Sequence, residues 1–296
     1  MCVTCGCSDG AQTTITRLSS TESNAVDTDR SHAHSDRGHH HHDRHTHSHR
    51  QPDGTVITHS HSHHEPDGTV ITHSHAPKVR DRKIGQTLLL EQNLLSKNDR
   101  IARHNRQLLQ EKNIKALNLV SSPGSGKTTL LVRTIQDLQS QIPIAVIEGD
   151  QETLHDAERI AATGCPAIQV NTGTGCHLEA DMIQRGLDNL SPPDNSLLLI
   201  ENVGNLVCPA LFDLGEQAKV AMLSVTEGED KPLKYPHMFR ASRVMVLTKV
   251  DLLPHVPFDV ERCLDYARSV NPDLVIFQVS AVTGQGLDDW YRWLVA

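Results

Sequence analysis

The sequence predicts an α/β domain over residues 78–296, a mostly parallel sheet flanked by helices, behind a polar N-terminal tail. Three observations carry this. Nearly all Leu, Ile and Val lie beyond residue 77, whereas residues 1–77 hold 15 of the 20 histidines, so a packed core forms only in the later part. Short apolar runs there alternate with helical patterns, as in a parallel sheet covered on both faces. One such run leads through a glycine-rich turn straight into a helix.

In chain order, residues 1–7 (MCVTCGC) form a compact cysteine cluster. Residues 8–77 are polar and low in complexity and are expected to be disordered. They contain a repeat, PDGTVITHSH at 52–61 and again at 66–75, whose turn and TVIT run allow transient hairpins. Two copies of so small a unit bury no core, which excludes a solenoid. Positions 84–112 space Leu88, Leu89, Leu94, Leu95, Ile101, Leu108 and Leu109 among charges, the pattern of one or two amphipathic helices. Then follow a strand at 116–120, a helix over 128–139, a strand at 144–148, a helix near 151–163 and a strand at 167–170. A helix near 178–189, strands at 197–201, 220–225 and 244–248, a helix near 258–270, a strand at 274–280 and a closing helix from 286 complete the domain.

Charge and cysteines limit the function classes. A formal net charge of −8 argues against a general nucleic-acid binder. No stretch approaches the roughly 18 apolar residues of a membrane span. The N-terminus shows no apolar signal region, so a cytoplasmic location is expected. In a reducing compartment seven cysteines, three of them clustered, read as metal ligands more readily than as disulfides.

LVSSPGSGKTTLL at 119–131 has the strand–turn–helix context of a phosphate-binding loop. Gly124 and Gly126 let the backbone N–H groups around Ser125 face phosphate oxygens. Lys127 reaches the β and γ phosphates, Thr128 offers its hydroxyl to Mg²⁺, and Thr129 continues the loop into the helix. The pattern opens with glycine in general; here Ser121 stands in that place. Asp150 and Glu201 end apolar strands, where open α/β sheets bind ligands. Asp150 is the candidate to hold Mg²⁺ or orient the attacking water, and Glu201 to hold the ion through water; a strand-ending acid without function is the alternative for each. Gly204, in ENVGN, offers a backbone N–H where a γ-phosphate would be sensed. In VLTKVD, Asp251 suits the N1–H and 2-amino donors of guanine, which adenine lacks, with the stem of Lys249 along the base. Ser280 and Ala281 are expected to back the base. Thr248 stands where GTPases usually carry Asn.

Cys2, Cys5 and Cys7 give Cys-x-x-Cys-x-Cys, three thiolates able to wrap one thiophilic ion; with nitrogen donors added, square-planar Ni²⁺ or Cu²⁺ is favoured over tetrahedral Zn²⁺. The alternative is a reactive terminus without function. A histidine tract (His39, His40, His41, His42, His45, His47, His49, His59, His61, His63, His64, His73 and His75 among it) suits loose buffering of borderline ions. Cys176-His177 and Cys208 form a second candidate site, with Cys208 four residues beyond Gly204; a buried structural cysteine is the alternative for any one of them. Cys165 and Cys263 are assigned to packing.

Taken together, MCVTCGC, the histidine-rich stretch, SSPGSGKTT, IEGDQET, NTGTGCHLEA, ENVGNLVCPALFDLGE, KYP and TKVD resemble the hydrogenase nickel-incorporation GTPases, the HypB family. The resemblance covers essentially all of 78–296 plus the terminal cysteines, and the order of these motifs is not shared by GTPases generally. It implies a P-loop NTPase domain of SIMIBI type that hydrolyses GTP to GDP slowly and forms a homodimer when nucleotide or metal is bound. It further implies delivery of Ni²⁺ to the large-subunit precursor of [NiFe] hydrogenase, with a small HypA-type accessory protein as partner. Carried over, Cys2, Cys5 and Cys7 become a terminal nickel site, and Cys176, His177 and Cys208 a site for Ni²⁺ or Zn²⁺ near the dimer interface. A passive nickel store and the related urease accessory GTPase are the competing readings; MCVTCGC and ENVGNLVCP disfavour the latter.

Overall fold

The computed structural model describes residues 13–18, 49–50, 56–57, 63–64, 70–71, 80–151 and 155–296. Cys2, Cys5, Cys7 and most of the histidine tract lie outside them. The chain divides into two compact units, residues 22–86 and the remainder.

Strand β1 is Thr14–Leu18. In the smaller unit, β2 (His49–Arg50) pairs antiparallel with β3 (Val56–Ile57), and β4 (His63–His64) with β5 (Val70–Ile71). Each two-residue ladder joins histidines or their neighbours to the Val-Ile of one copy of the repeat. Helix α1 is Arg80–Glu111. Thereafter come β6 (Lys115–Ser121), α2 (Lys127–Leu138), β7 (Ile144–Asp150), α3 (His155–Ala161), β8 (Ala167–Asn171), α4 (Ala180–Leu190) and β9 (Leu197–Glu201). A 3₁₀ turn, Cys208–Ala210, precedes β10 (Ala218–Ser224), α5 (Lys231–Lys234), α6 (Pro236–Ala241) and β11 (Val244–Thr248). A second 3₁₀ segment (Val250–His255), α7 (Val260–Val270), β12 (Val275–Gln278) and α8 (Leu287–Val295) close the chain.

Eight strands form one sheet in the order β1-β8-β7-β9-β6-β10-β11-β12. All neighbours are parallel except β1, which runs antiparallel along β8 from Thr14 opposite Asn171 to Leu18 opposite Ala167. This corrects the expectation that 8–77 lacks packed structure throughout: Thr14–Leu18 extends the sheet, with Ile15 and Leu18 packed against its apolar clusters. The inner strands are buried almost end to end because helices cover both faces, which is why they read as unbroken apolar runs.

Leu117 and Leu119 of β6 face one layer, where α2 and α8 contribute Leu130, Leu131, Ile135, Trp290 and Leu294. The opposite face is split. Ala116 packs in a cluster with Leu109 of α1 and Ile183 and Leu187 of α4, and Val120 in another with Met238, Phe239 and Cys263. Between them on the same face sits Asn118, fully buried.

Candidate functional site: a phosphate loop beside a thiolate–imidazole cluster

The carboxyl ends of β6, β7, β9, β11 and β12 carry the predicted nucleotide residues. Gly126, at φ 92°, turns the chain from the loop into α2, a conformation open to glycine. Ser121 explains its own departure from glycine: fully buried, its Oγ accepts from Ser125 Oγ (2.6 Å) and from Lys127 Nζ (2.9 Å) and donates to Ser122 O (2.7 Å). The hydroxyl holds the loop and its lysine in place. Thr248 is explained likewise, since its Oγ1 donates to Ser125 O at 2.6 Å and ties β11 to the loop.

Thr128 Oγ1 donates to Glu201 Oε1 at 2.7 Å. Glu201 is buried at the end of β9, and burial raises its pKa despite the nearby Lys127. A second buried carboxylate, Glu148, stands opposite it in register on β7. Burial first, then the charges of Glu201 and Asp150, push Glu148 up to about 8. Glu148 was missed in the sequence, although an acid two residues before Asp150 on an apolar strand shares its face. Oε2 of both glutamates is buried with no partner. A Thr hydroxyl, Asp150 and two such carboxylates beside a phosphate loop fit a divalent cation of hard, oxygen-preferring type such as Mg²⁺.

A cavity of about 270 Å³ opens beside the loop, lined by Gly126, Thr129, Lys249, Asp251, Ala281 and Val282 among others. Lys249, in left-handed conformation (φ 59°), lies across the loop with Nζ donating to Gly124 O at 2.7 Å. Ala281 borders this cavity. Ser280 sits behind it, fully buried, its N–H donated to Gln285 O at 2.9 Å. Two cations not singled out in the sequence also touch the loop: Arg159 donates to Thr129 Oγ1 (3.0 Å) and Lys231 to Ser122 Oγ (3.1 Å). A larger cavity, about 510 Å³, lies around Lys115, Ser196 and Leu294 and holds none of the predicted residues.

Gly204 meets the loop directly. A Cβ there would stand 3.0 Å from Pro123 Cγ and 3.2 Å from its backbone N, so any side chain would crowd the loop and push Pro123 by a few tenths of an ångström. Four residues on, Cys208 is buried and comes together with Cys176 and His177, their ligand atoms all within 4.8 Å of one another. Cys176 Sγ lies 3.6 Å from His177 Nδ1. The imidazole packs tilted, at 36°, against Phe212 with ring centroids 4.0 Å apart, its Nε2 is buried without a hydrogen-bond partner, and burial pushes its pKa down to about 4. It is therefore neutral near pH 7, the state that ligates metal. Two sulfurs and an imidazole suit Ni²⁺, Cu²⁺ or Zn²⁺ better than hard ions. Cys165 and Cys263 are the contrast: buried, raised to about 12 by burial, and packed in the core as expected.

The CobW/HypB/UreG nucleotide-binding domain matches residues 115–278. Hydrogenase maturation factor HypB of Azotobacter chroococcum is 62% identical over 205 residues, 69% of this chain and 67% of that protein. The crystal structure of hydrogenase maturation factor HypB from Archaeoglobus fulgidus superposes with a TM-score of 0.63 at 42% identity, covering 67% of this chain and 97% of that one. HypB from Helicobacter pylori, solved in complex with nickel, gives 0.62 at 37% identity over 67% of this chain and 94% of that one. With a phosphate loop, a cavity beside it and these relatives in agreement, the chain belongs to the HypB hydrogenase maturation factors of the CobW/HypB/UreG nucleotide-binding family.

Proposed function

We propose that this protein is a GTP-hydrolysing carrier that supplies Ni²⁺ to the large-subunit precursor of [NiFe] hydrogenase. It acts in the cytoplasm as a nucleotide- or metal-dependent homodimer with a HypA-type accessory protein as partner. The observation that carries the reading is the pairing of two sites: Gly204 abuts the phosphate loop, and Cys208, four residues later, clusters with Cys176 and His177.

In hydrolysis, water adds to the γ-phosphorus of GTP and the β–γ bridging oxygen leaves with GDP, giving inorganic phosphate. Lys127 and the loop N–H groups around Gly124, Ser125 and Gly126 balance charge on the phosphates. Asp150 orients the water. Thr128 and Glu201, with Asp150, are the residues to hold Mg²⁺, which supplies charge neutralisation when bound. Asp251 accepts from guanine, with Lys249 along its face and Ala281 beside it. Nickel is the cargo: Cys2, Cys5 and Cys7 form a terminal site, and Cys176, His177 and Cys208 a domain site able to hold Ni²⁺ or Zn²⁺.

The test is nickel transfer from the loaded full chain to purified hydrogenase precursor. GTP should support it, and ATP and a non-hydrolysable GTP analogue should not. Equal transfer with ATP, or with no nucleotide, sinks the reading. The 15 histidines of residues 1–77 favour storage as a second role. Deleting residues 22–77, which spares β1, separates the two: storage as the main role predicts that hydrogenase maturation is lost, whereas carriage by the folded domain predicts that it is retained when nickel is adequate.

A further inference from the structure

Two asparagines flank Gly204, and each reaches across to the Cys176–His177 limb of the metal cluster. Asn205 Nδ2 donates to Cys176 O at 3.3 Å, while its Oδ1 accepts from Val207 N at 2.8 Å. Asn202 Oδ1 accepts from Leu178 N at 3.1 Å and from its neighbour Val203 N at 3.0 Å. Backbone N–H groups only donate, so this oxygen can only accept, and the Asn202 amide must turn its NH₂ the other way. There it donates to Asn118 Oδ1 at 3.1 Å, and Asn118 Nδ2 in turn donates to Glu216 Oε1 at 3.1 Å. Asn202 and Asn118 are both fully or nearly fully buried, and the relay has one polarity from Leu178 to the Glu216 carboxylate.

The turn carrying Cys208 is anchored separately. Lys219 of β10 donates to Pro209 O at 2.6 Å and to Phe212 O at 3.1 Å, fixing the segment after the sulfur to the sheet. The ligands thus sit on two supports. Cys208 is nailed to β10. Cys176 and His177 follow Gly175, which Thr172 holds through N–H to O (2.9 Å) and Oγ1 to O (2.7 Å), and beyond it they meet a buried anchor, Asn202, and a half-buried grip, Asn205, beside the glycine that touches the phosphate loop.

We propose that Asn205 and Asn202 are the positioning residues that pass the nucleotide state to the metal: a shift of Gly204 against the phosphate loop pulls Cys176 through Asn205 about a pivot at Leu178 held by Asn202, changing its separation from the anchored Cys208. The ligand that moves is Cys176, although Cys208 is nearer to Gly204 in sequence. This rests on the functional reading above.

The test uses the full chain with Cys2, Cys5 and Cys7 replaced by Ala, so that thiolate-to-nickel absorption reports the Cys176–Cys208 cluster; the histidine tract has no sulfur and is silent there. Ni²⁺ is titrated with GDP bound and with a non-hydrolysable GTP analogue, and the ratio of the two affinities is the readout. In this parent the ratio should depart from one by about fivefold or more, the lower bound for coupled sites. Asn205→Asp keeps the bond to Val207 N–H but presents an acceptor to Cys176 O; Asn205→Ala removes both bonds. Each should bring the ratio to within about twofold of one, whatever happens to absolute affinity. Because Asn205 is half-buried, these variants fold even if Asn202→Ala does not. A ratio unchanged from the parent in both Asn205 variants overturns the lever and leaves the carrier function standing. A ratio of one in the parent overturns the coupling itself and with it the lever, while nickel transfer to the precursor decides the carrier function.

Discussion

At the scale of single residues, Glu148 makes the sharpest demand. Its folded-state pKa, about 8, lies above the usual 4.5, so the folded chain holds a proton that the unfolded chain releases. The associated stability is complete below about 4.5 and is lost as pH rises through about 8, a change on the order of 3–5 kcal/mol. The nucleotide-free, cation-free chain should therefore melt progressively lower across that window, and Glu148→Gln should make the decline shallower in a calorimetric series, the remainder coming from Glu201 and Glu216, which burial also raises; an equally steep decline in the variant excludes Glu148 as a source. Asp251 makes a different demand. Asn in its place offers an N–H where guanine offers donors, so Asp251→Asn should weaken GTP binding roughly a hundredfold or more and favour xanthosine triphosphate, whose 2-oxo group accepts. Equilibrium binding of the two nucleotides decides it. The place of Asp251 at the cavity beside the phosphate loop was legible from its strand-end motif. Glu148 was not, because nothing in one sequence says that Glu201 will stand opposite it.

Among the elements, β1 shows where periodicity runs out. TITRL is five residues in a polar tract, exposed or half-buried throughout, and its place comes only from the free edge of β8. Register on a tertiary partner leaves no mark in local composition. The long inner strands are the opposite case, since burial on both faces forces apolar runs that any reading detects. The short helices α5 and α6 were likewise invisible, being four and six residues long and set by packing of Pro232, Met238 and Phe239. The strand has a measurable consequence. Ile15 packs against the cluster containing Ile168 and Ile183, so Ile15→Asp should lower unfolding free energy by on the order of 1–2 kcal/mol in urea, whereas deleting residues 22–77 should leave it unchanged. Loss of stability only in the deletion reverses that assignment.

For the whole molecule, the face of the sheet that carries Asn118 is the unusual feature. An apolar core would run unbroken from Ala116 to Val120; here Asn118, Glu216 and Asn202 divide it into two clusters. Buried polar groups of this kind stabilise little net but demand complete pairing, so they fix one arrangement of whatever they join. What they join is the end of the strand leading into the phosphate loop and the backbone beside His177. That Cys176, His177 and Cys208 belong together was legible in the sequence, and they do cluster; this linkage was not, because hydrogen-bond partners 24 and 84 residues apart have no local signature. If nucleotide biases metal through it, then metal must bias nucleotide by the same factor, since coupling free energy between two binding sites is reciprocal. With Ni²⁺ or Zn²⁺ at the domain site, the ratio of GDP to GTP-analogue affinity should therefore shift by as much as the metal's own ratio shifts between nucleotide states. Cys208→Ala, which removes a ligand without touching the phosphate loop, should abolish that dependence while the metal-free ratio stays where it was. Fluorescent-nucleotide titrations with and without metal measure both, and a metal-dependent ratio that survives in Cys208→Ala would assign the coupling to some other ion site on the chain.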